Sequence, residues 1–303
     1  MKRFTVVGVG ELLWDLLPDG KQLGGAPANF AYMTSLLGDE GLVASRVGSD
    51  ALGRSAARRL QRLGLKSSYL QVDSNHHTGT VKVEVDSAGQ PTFEIAESVA
   101  WDFFQWTTEW HDLAEQADAV CFGSLAQRSP RSRATVRAFL GAVGQRAVRV
   151  FDVNLRQAFY SAETLRESLR LTDIVKLNQD ELPAVAKLLG HAFEDEEKSS
   201  RWLRETYKLK LVCVTRGAMG SLLVGEKETS KHPGCKVRVV DTVGSGDAFT
   251  AALIYHYLRR ASLSTLNEAA NRMGAWVASQ TGATPSRDNR RLERIRSAVG
   301  GEE

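Results

Sequence analysis

Apolar and polar positions along the chain fall into short β-rich runs alternating with longer amphipathic ones. Residues 4–10 (FTVVGVG) are an apolar run that predicts a buried strand. From Pro27 to Leu37, apolar Phe30, Met33, Leu36 and Leu37 recur at helical spacing, with proline at the start and Gly38 as the stop. Asp50 to Gly64 carries an Asp cap, an apolar stripe, C-terminal arginines and a closing glycine. Further strands are predicted at 119–123, 148–154, 173–178, 210–215 and 221–225, separated by helices over 131–145, 161–170, 179–190 and 196–207. Strands alternating with helices predict a mostly parallel sheet, and uninterrupted apolar strands predict cover on both its faces.

Residues 79–95 break this rhythm. Val81, Val83 and Val85 alternate with Lys82 and Glu84, then a DSAGQP turn and a second strand follow. Period-2 alternation with a turn predicts a half-exposed antiparallel hairpin. It is either an edge of the main sheet or a lid over the carboxyl ends of the parallel strands, where such sheets bind ligands. The charge run Glu194–Lys198 predicts a solvated helix start, and no internal repeat is present.

Composition changes the picture only by exclusion. A chain of 303 residues is one large domain or two small ones, and it buries enough surface to fold without a disulfide or metal staple. Its net charge of +3 is too small to imply nucleic-acid or acidic-membrane partners. The three cysteines, Cys121, Cys213 and Cys235, contain no CxxC pair, and two lie in apolar runs, which suits a reducing cytoplasm. The apolar N-terminus is cut by Glu11 and Asp15, against a signal peptide, and no apolar stretch is long enough to span a membrane.

Gly8-Val9-Gly10 follows a strand, but Leu13 stands where a dinucleotide fingerprint needs its third glycine. There is no GxxxxGK[ST] loop and no HExxH. The paired His76-His77 fits a polar surface loop better than a metal site. The chemistry concentrates in residues 236–260, KVRVVDTVGSGDAFTAALIYHYLRR. The pattern predicts a strand ending near Val240, a glycine turn at 244–246 and a helix from Asp247 to Arg260. Unpaired amides at such a helix start, bare of side chains at Gly244 and Gly246, make an anion hole. A carboxylate there hinders simple phosphate binding but suits a group that takes a proton from an attacking hydroxyl; Asp247 could equally be a plain helix cap. A second cluster, Gly24-Gly25-Ala26-Pro27-Ala28-Asn29, lets backbone approach a ligand, and the Asn29 amide suits paired sugar hydroxyls. Asp15, in LLWDLLP, needs a partner if buried. The alternatives are a plain turn and an exposed loop acid.

GGAPANFA near the N-terminus together with DTVGSGDAF near residue 245 resembles the two signatures of the PfkB, ribokinase-like carbohydrate kinase family, over nearly the whole chain. The resemblance implies a three-layer α/β fold with a mostly parallel central sheet. It implies one kinase domain over 1–303, with a small β lid inserted from approximately 11–24 and 78–98. It implies Asp247 as catalytic base, and the amides of Gly244, Ser245 and Gly246 as the anion hole. Asp15, Gly25, Asn29 and Arg156 match substrate contacts. Asn178 and Glu181 match the family's N-x-x-E motif, which organises Mg²⁺ and nucleotide phosphates, partly through water. Thr215, Gly217 and Gly220 match its nucleotide loop, and Asn271 a position beside the adenine. Asp241 and Ser286, with carbonyls of Val243, Val277, Gln280 and Gly282, match loops that hold an activating K⁺.

GELLWDLLPDG followed by GGAPANFA looks most like the fructokinase branch, and Ala26 and Pro27 bring no charge to meet a substrate phosphate. The resemblance therefore implies transfer of the ATP γ-phosphoryl group to the 6-hydroxyl of D-fructose. The alternatives are a kinase for 2-keto-3-deoxygluconate or ribose, since Arg156 could meet a carboxylate, or a sugar or nucleotide sensor on the same fold. A homodimer through the lid is a further implication.

Overall fold

The computed structural model describes residues 2–17, 20–85 and 91–298. Thirteen strands are described: β1 (Thr5–Val9), β2 (Leu13–Leu17), β3 (Gly20–Gly24), β4 (Glu40–Gly48), β5 (Leu70–Asp73), β6 (Gly79–Val85), β7 (Pro91–Ile95), β8 (Ala119–Gly123), β9 (Val148–Asp152), β10 (Ile174–Asn178), β11 (Leu211–Thr215), β12 (Ser221–Gly225) and β13 (Thr229–His232). The α-helices are α1 (Ala26–Leu37), α2 (Ala51–Arg62), α3 (Thr108–Gln116), α4 (Pro130–Ala142), α5 (Ala162–Arg170), α6 (Glu181–Leu188), α7 (Glu196–Tyr207), α8 (Ser245–Leu258), α9 (Leu263–Ala278) and α10 (Asn289–Arg296).

Nine strands form one sheet in the order β13-β12-β11-β10-β9-β8-β1-β4-β5. From β5 to β11 every pairing is parallel, while β11–β12 and β12–β13 are antiparallel. Alternate residues of each strand enter opposite layers, as the pleat requires. Val6, Cys121, Val150, Ile174 and Cys213 pack against α1, α8 and α9, whereas Val7, Val120, Phe151, Val175 and Val212 pack against α3 to α7. This is the expected three-layer arrangement. Asp50 caps α2 through Gly53 N–H at 2.7 Å, and Asp195 caps α7 inside the predicted charge run.

The hairpin of 79–95 does not extend the main sheet. It joins a second sheet in the order β3-β2-β6-β7, in which β2 pairs with β6 in parallel and the other two pairings are antiparallel. Most of the DSAGQP turn lies outside the described residues. The predicted strand ending near Val240 is corrected: residues 236–240 belong to no sheet, and Val239 and Val240 are each 56% exposed. β13 already provides the strand at that sheet edge, and the Val240 and Asp241 amides donate instead to Ala278 O at the end of α9. The following helix starts at Ser245, two residues before the predicted start, because Gly244 already turns the chain with φ 77°.

Candidate active site

The parallel strands deliver their carboxyl ends to one edge of the sheet, and the site collects there. Glu11 follows β1, while Gly123, Asp152, Asn178 and Thr215 end β8, β9, β10 and β11. Two helices begin over this edge. α1 starts from Gly25, whose φ of 113° suits glycine, and a Cβ there would collide with the carbonyl of Glu11. α8 starts from left-handed Gly244, which lies so close to Ala283 that a Cβ would come within 2.6 Å of its side chain.

These two starts bring the sequence clusters together. Asn29 Nδ2 donates to Asp247 Oδ2 at 2.8 Å across 218 residues of chain. At the start of α8, no acceptor is found among the described residues for the amides of Gly244, Gly246 and Asp247. These are the orphan donors of a helix N-terminus, with the positive end of the helix dipole behind them. The Ser245 amide differs, because it and its hydroxyl both donate to Thr242 O, at 3.2 and 2.7 Å.

The site is rich in carboxylates, and burial perturbs them. Burial and the nearby Asp152 push Asp247 up to about 6, while Asn29, Lys176 and Arg156 pull it down. Burial also raises Asp15, on β2 opposite Gln22, to about 6 against the pull of Arg156. Glu11, only 3% exposed, is raised to about 7 by burial, despite the backbone amides and Arg156 that lower it. Arg156 is exposed on the loop after β9, and its charge acts on all three acids.

Beneath the glycine turn lies a buried ion pair that the sequence reading missed. Lys176 Nζ donates to Asp152 Oδ1 and Oδ2 at 3.0 and 3.2 Å, and Thr250 Oγ1 of α8 reaches Asp152 Oδ2 at 3.3 Å. The ammonium stands 3.1 Å from where a Cβ of Gly246 would be, so it adds positive charge under the helix start. Burial alone would lower the Lys176 pKa, but Asp152 and Glu181 outweigh it and hold the amine charged. Glu11 likewise shows in the sequence only as a break in an apolar run. The available signal was a charge inside each of two apolar strand runs, Asp152 in 148–154 and Lys176 in 173–178, where either alone would be buried without a partner; the structure makes them paired positions on neighbouring strands.

The remaining predicted residues occupy three neighbourhoods. Asn178 Oδ1 accepts from the Asp180 and Glu181 amides at the start of α6, and the Glu181 carboxylate accepts from Leu155 and Asn178 amides at 2.9 and 2.8 Å. Both side chains thus hold loop shape, and Glu181 is only 6% exposed, so they fit contact with a metal through water better than direct ligation. Thr215 ends β11, Gly217 and Gly220 shape the turn before β12, and the buried Asn271 amide is held by Ser221 and Asn267. Asp241 ties the third group together through the Val243 and Gly282 amides, both at 2.9 Å. Val277 O accepts from the Gln280 amide, while Ser286 lines a separate cleft with Arg59 and Arg287. Each Asp241 oxygen accepts one backbone amide, so that carboxylate braces the two loops.

A model of the pfkB family of carbohydrate kinases matches residues 19–290. The chain belongs to this family. Among PfkB relatives, the fructokinase of Escherichia coli is 31% identical over 260 residues, covering 81% of this chain and 82% of that one. Fructokinase-1 of Zea mays is 30% identical over 310 residues, covering 94% of each. A Vibrio cholerae fructokinase solved with fructose, ADP and potassium superposes with a TM-score of 0.81 at 26% identity, covering 97% of this chain and 99% of that one. An uncharacterized sugar kinase of Pyrococcus horikoshii in complex with ATP also gives 0.81, at 29% identity, over 96% and 99%. The fold is therefore the ribokinase-like fold of PfkB kinases, and the fructokinase branch is the one its relatives support. Among the described residues, no helix is long and apolar enough to cross a membrane.

Proposed function

We propose that this PfkB kinase transfers the γ-phosphoryl group of ATP to the 6-hydroxyl of D-fructose. The observation that carries the reading is the Asn29–Asp247 hydrogen bond, which brings the Asn29 amide and the Asp247 carboxylate together beside an open helix start. The pocket's charge supports a neutral sugar. Glu11, Asp15, Asp152 and Asp247 gather there, with one exposed cation, Arg156, and one internally paired cation, Lys176. A sugar acid or sugar phosphate would meet like charge from several directions.

In this mechanism Asp15, the Gly25 turn and Asn29 hold the sugar hydroxyls, and Asp247 orients the 6-hydroxyl and takes its proton. The amides of Gly244 and Gly246, with Lys176 beneath them, stabilise charge on the transferring group. Positioning dominates, because the transition state of phosphoryl transfer is loose. Mg²⁺ arriving with ATP would neutralise phosphate charge and would be met by Asn178 and Glu181 through water. Thr215, Gly217, Gly220 and Asn271 would line the nucleotide, Arg156 would reach the transferring phosphate, and the 241–243 and 277–286 loops would brace the anion hole around K⁺. The sheet β3-β2-β6-β7 acts as the lid that excludes water and limits ATP hydrolysis.

An ADP-release assay over neutral and acidic sugars, with and without K⁺, tests this. Fructose should give the highest kcat/KM. Turnover of 2-keto-3-deoxygluconate without turnover of fructose would reject the proposal.

A further inference from the structure

Glu11 is a buried carboxyl to which the mechanism above gives no task. Its Oε2 is enclosed and has no hydrogen-bond partner among the described residues. Leaving a carboxylate oxygen buried and unpaired is costly, so such atoms call for a partner. Glu11 lines one small cavity together with Asp247, Asp152 and Asn154, and the rest of the wall includes Pro27, Phe30 and Phe122. The cavity holds about 10 Å³, the space of one water, and its polar groups supply the two or more partners a buried water requires.

We propose that Glu11 is the second proton acceptor of this site, reached from Asp247 through a single water in their shared cavity. The inference rests on the reading of Asp247 as the base of a sugar kinase. The sugar O–H bond breaks as Asp247 Oδ–H forms. Asp247 then gives that proton to the water oxygen, and the water gives one of its own protons to the Glu11 carboxylate. Water and the Asp247 carboxylate are both regenerated, and Glu11 later releases its proton to solvent.

Burial raises both acids, Glu11 to about 7 and Asp247 to about 6, so each can hold a proton close to neutral pH. The groups acting on Glu11 are Arg156 and the Glu11 and Ala26 amides, which lower it, and Asp247, which raises it. Asp152 and Cys121 also line the cavity. Asp152 accepts from Lys176 and Thr250, and burial and Asp152 raise the Cys121 thiol well above its ordinary value.

The test uses the full-length protein, Glu11→Gln, which preserves shape, and Asp247→Ala. With ATP saturating and fructose varied, the parent's kcat/KM should fall on the acid side with a limb near 7, and Glu11→Gln should lose that limb, leaving one near 6. Its kcat should drop about tenfold or more with little change in fructose KM, and a curved proton inventory in H₂O/D₂O mixtures should become linear. A merely structural role would lower activity without moving the limb or the inventory. A second readout needs no turnover: carboxyl ¹³C NMR of the free protein should show Glu11 titrating near 7, and lower in Asp247→Asn. The proposal is overturned if Glu11→Gln retains the parent's pH profile, or if Glu11 titrates in the ordinary glutamate range. If Asp247→Ala itself remains active, the kinase mechanism fails; if only the Glu11 results fail, the relay alone is wrong.

Discussion

Lys176→Met probes the ion pair under the anion hole. The substitution keeps the volume of the chain's stem but removes its charge, leaving Asp152, 4% exposed, with Thr250 Oγ1 as its remaining side-chain donor among the described residues. Breaking a buried pair by removing one partner costs ~3–5 kcal/mol, against at most ~1 kcal/mol for an exposed pair. A chain this long has an unfolding entropy of roughly 0.6 kcal/mol/K, so a loss near 4 kcal/mol lowers Tm by about 6 °C. Urea unfolding of Lys176→Met, Asp152→Asn and the double variant measures the coupling directly. Each single variant should lose several kcal/mol, and the double should lose clearly less than their sum, because it buries no unpaired charge. A Lys176→Met protein within 1 kcal/mol of the parent, or strict additivity, would refute the account of this pair.

Other positions give sharper readouts of single contacts. For Asp247, a rise from 3.8 to about 6 means that the stability brought by its neutral form is fully present below 3.8 and lost above about 6. Asp247→Asn should therefore gain stability relative to the parent as pH rises from 4 to 8, by up to ~3 kcal/mol, while kcat falls by several orders of magnitude; a pH-independent difference in urea midpoints would contradict this. Asn29→Ala removes a hydrogen bond that favours the charged carboxylate, so Asp247 should titrate above about 6 by carboxyl ¹³C NMR. Gly244→Ala must hold φ 77° and displace Ala283, so it should cost at least ~2 kcal/mol in urea unfolding and lower kcat through the anion hole.

Much of the architecture was legible because it depends on local pattern. The runs at 119–123 and 221–225 became strands with those bounds, and 196–207 a helix, because apolar periodicity and caps agree there. The strand predicted near Val240 failed for a tertiary reason: β-branched composition cannot reveal that the sheet edge is already taken by β13, whose sequence TSKH carries no apolar run. At the site, glycine clusters flag the places where the backbone must turn, so Gly25 and Gly244 stand out in sequence. Glu11, Asp152 and Lys176 do not, because their significance comes from burial and from each other. Neither the Lys176–Asp152 register nor the cavity shared by Glu11 and Asp247 exists until the strands are aligned.

The most direct test of the central claim is product analysis by ³¹P and ¹³C NMR after incubation with ATP, Mg²⁺ and D-fructose. The account predicts a new phosphate monoester on the C6 hydroxyl, formed one-for-one with ADP, and none from Asp247→Ala. ATP loss that is independent of the sugar, or an alanine variant within tenfold of the parent, would contradict it.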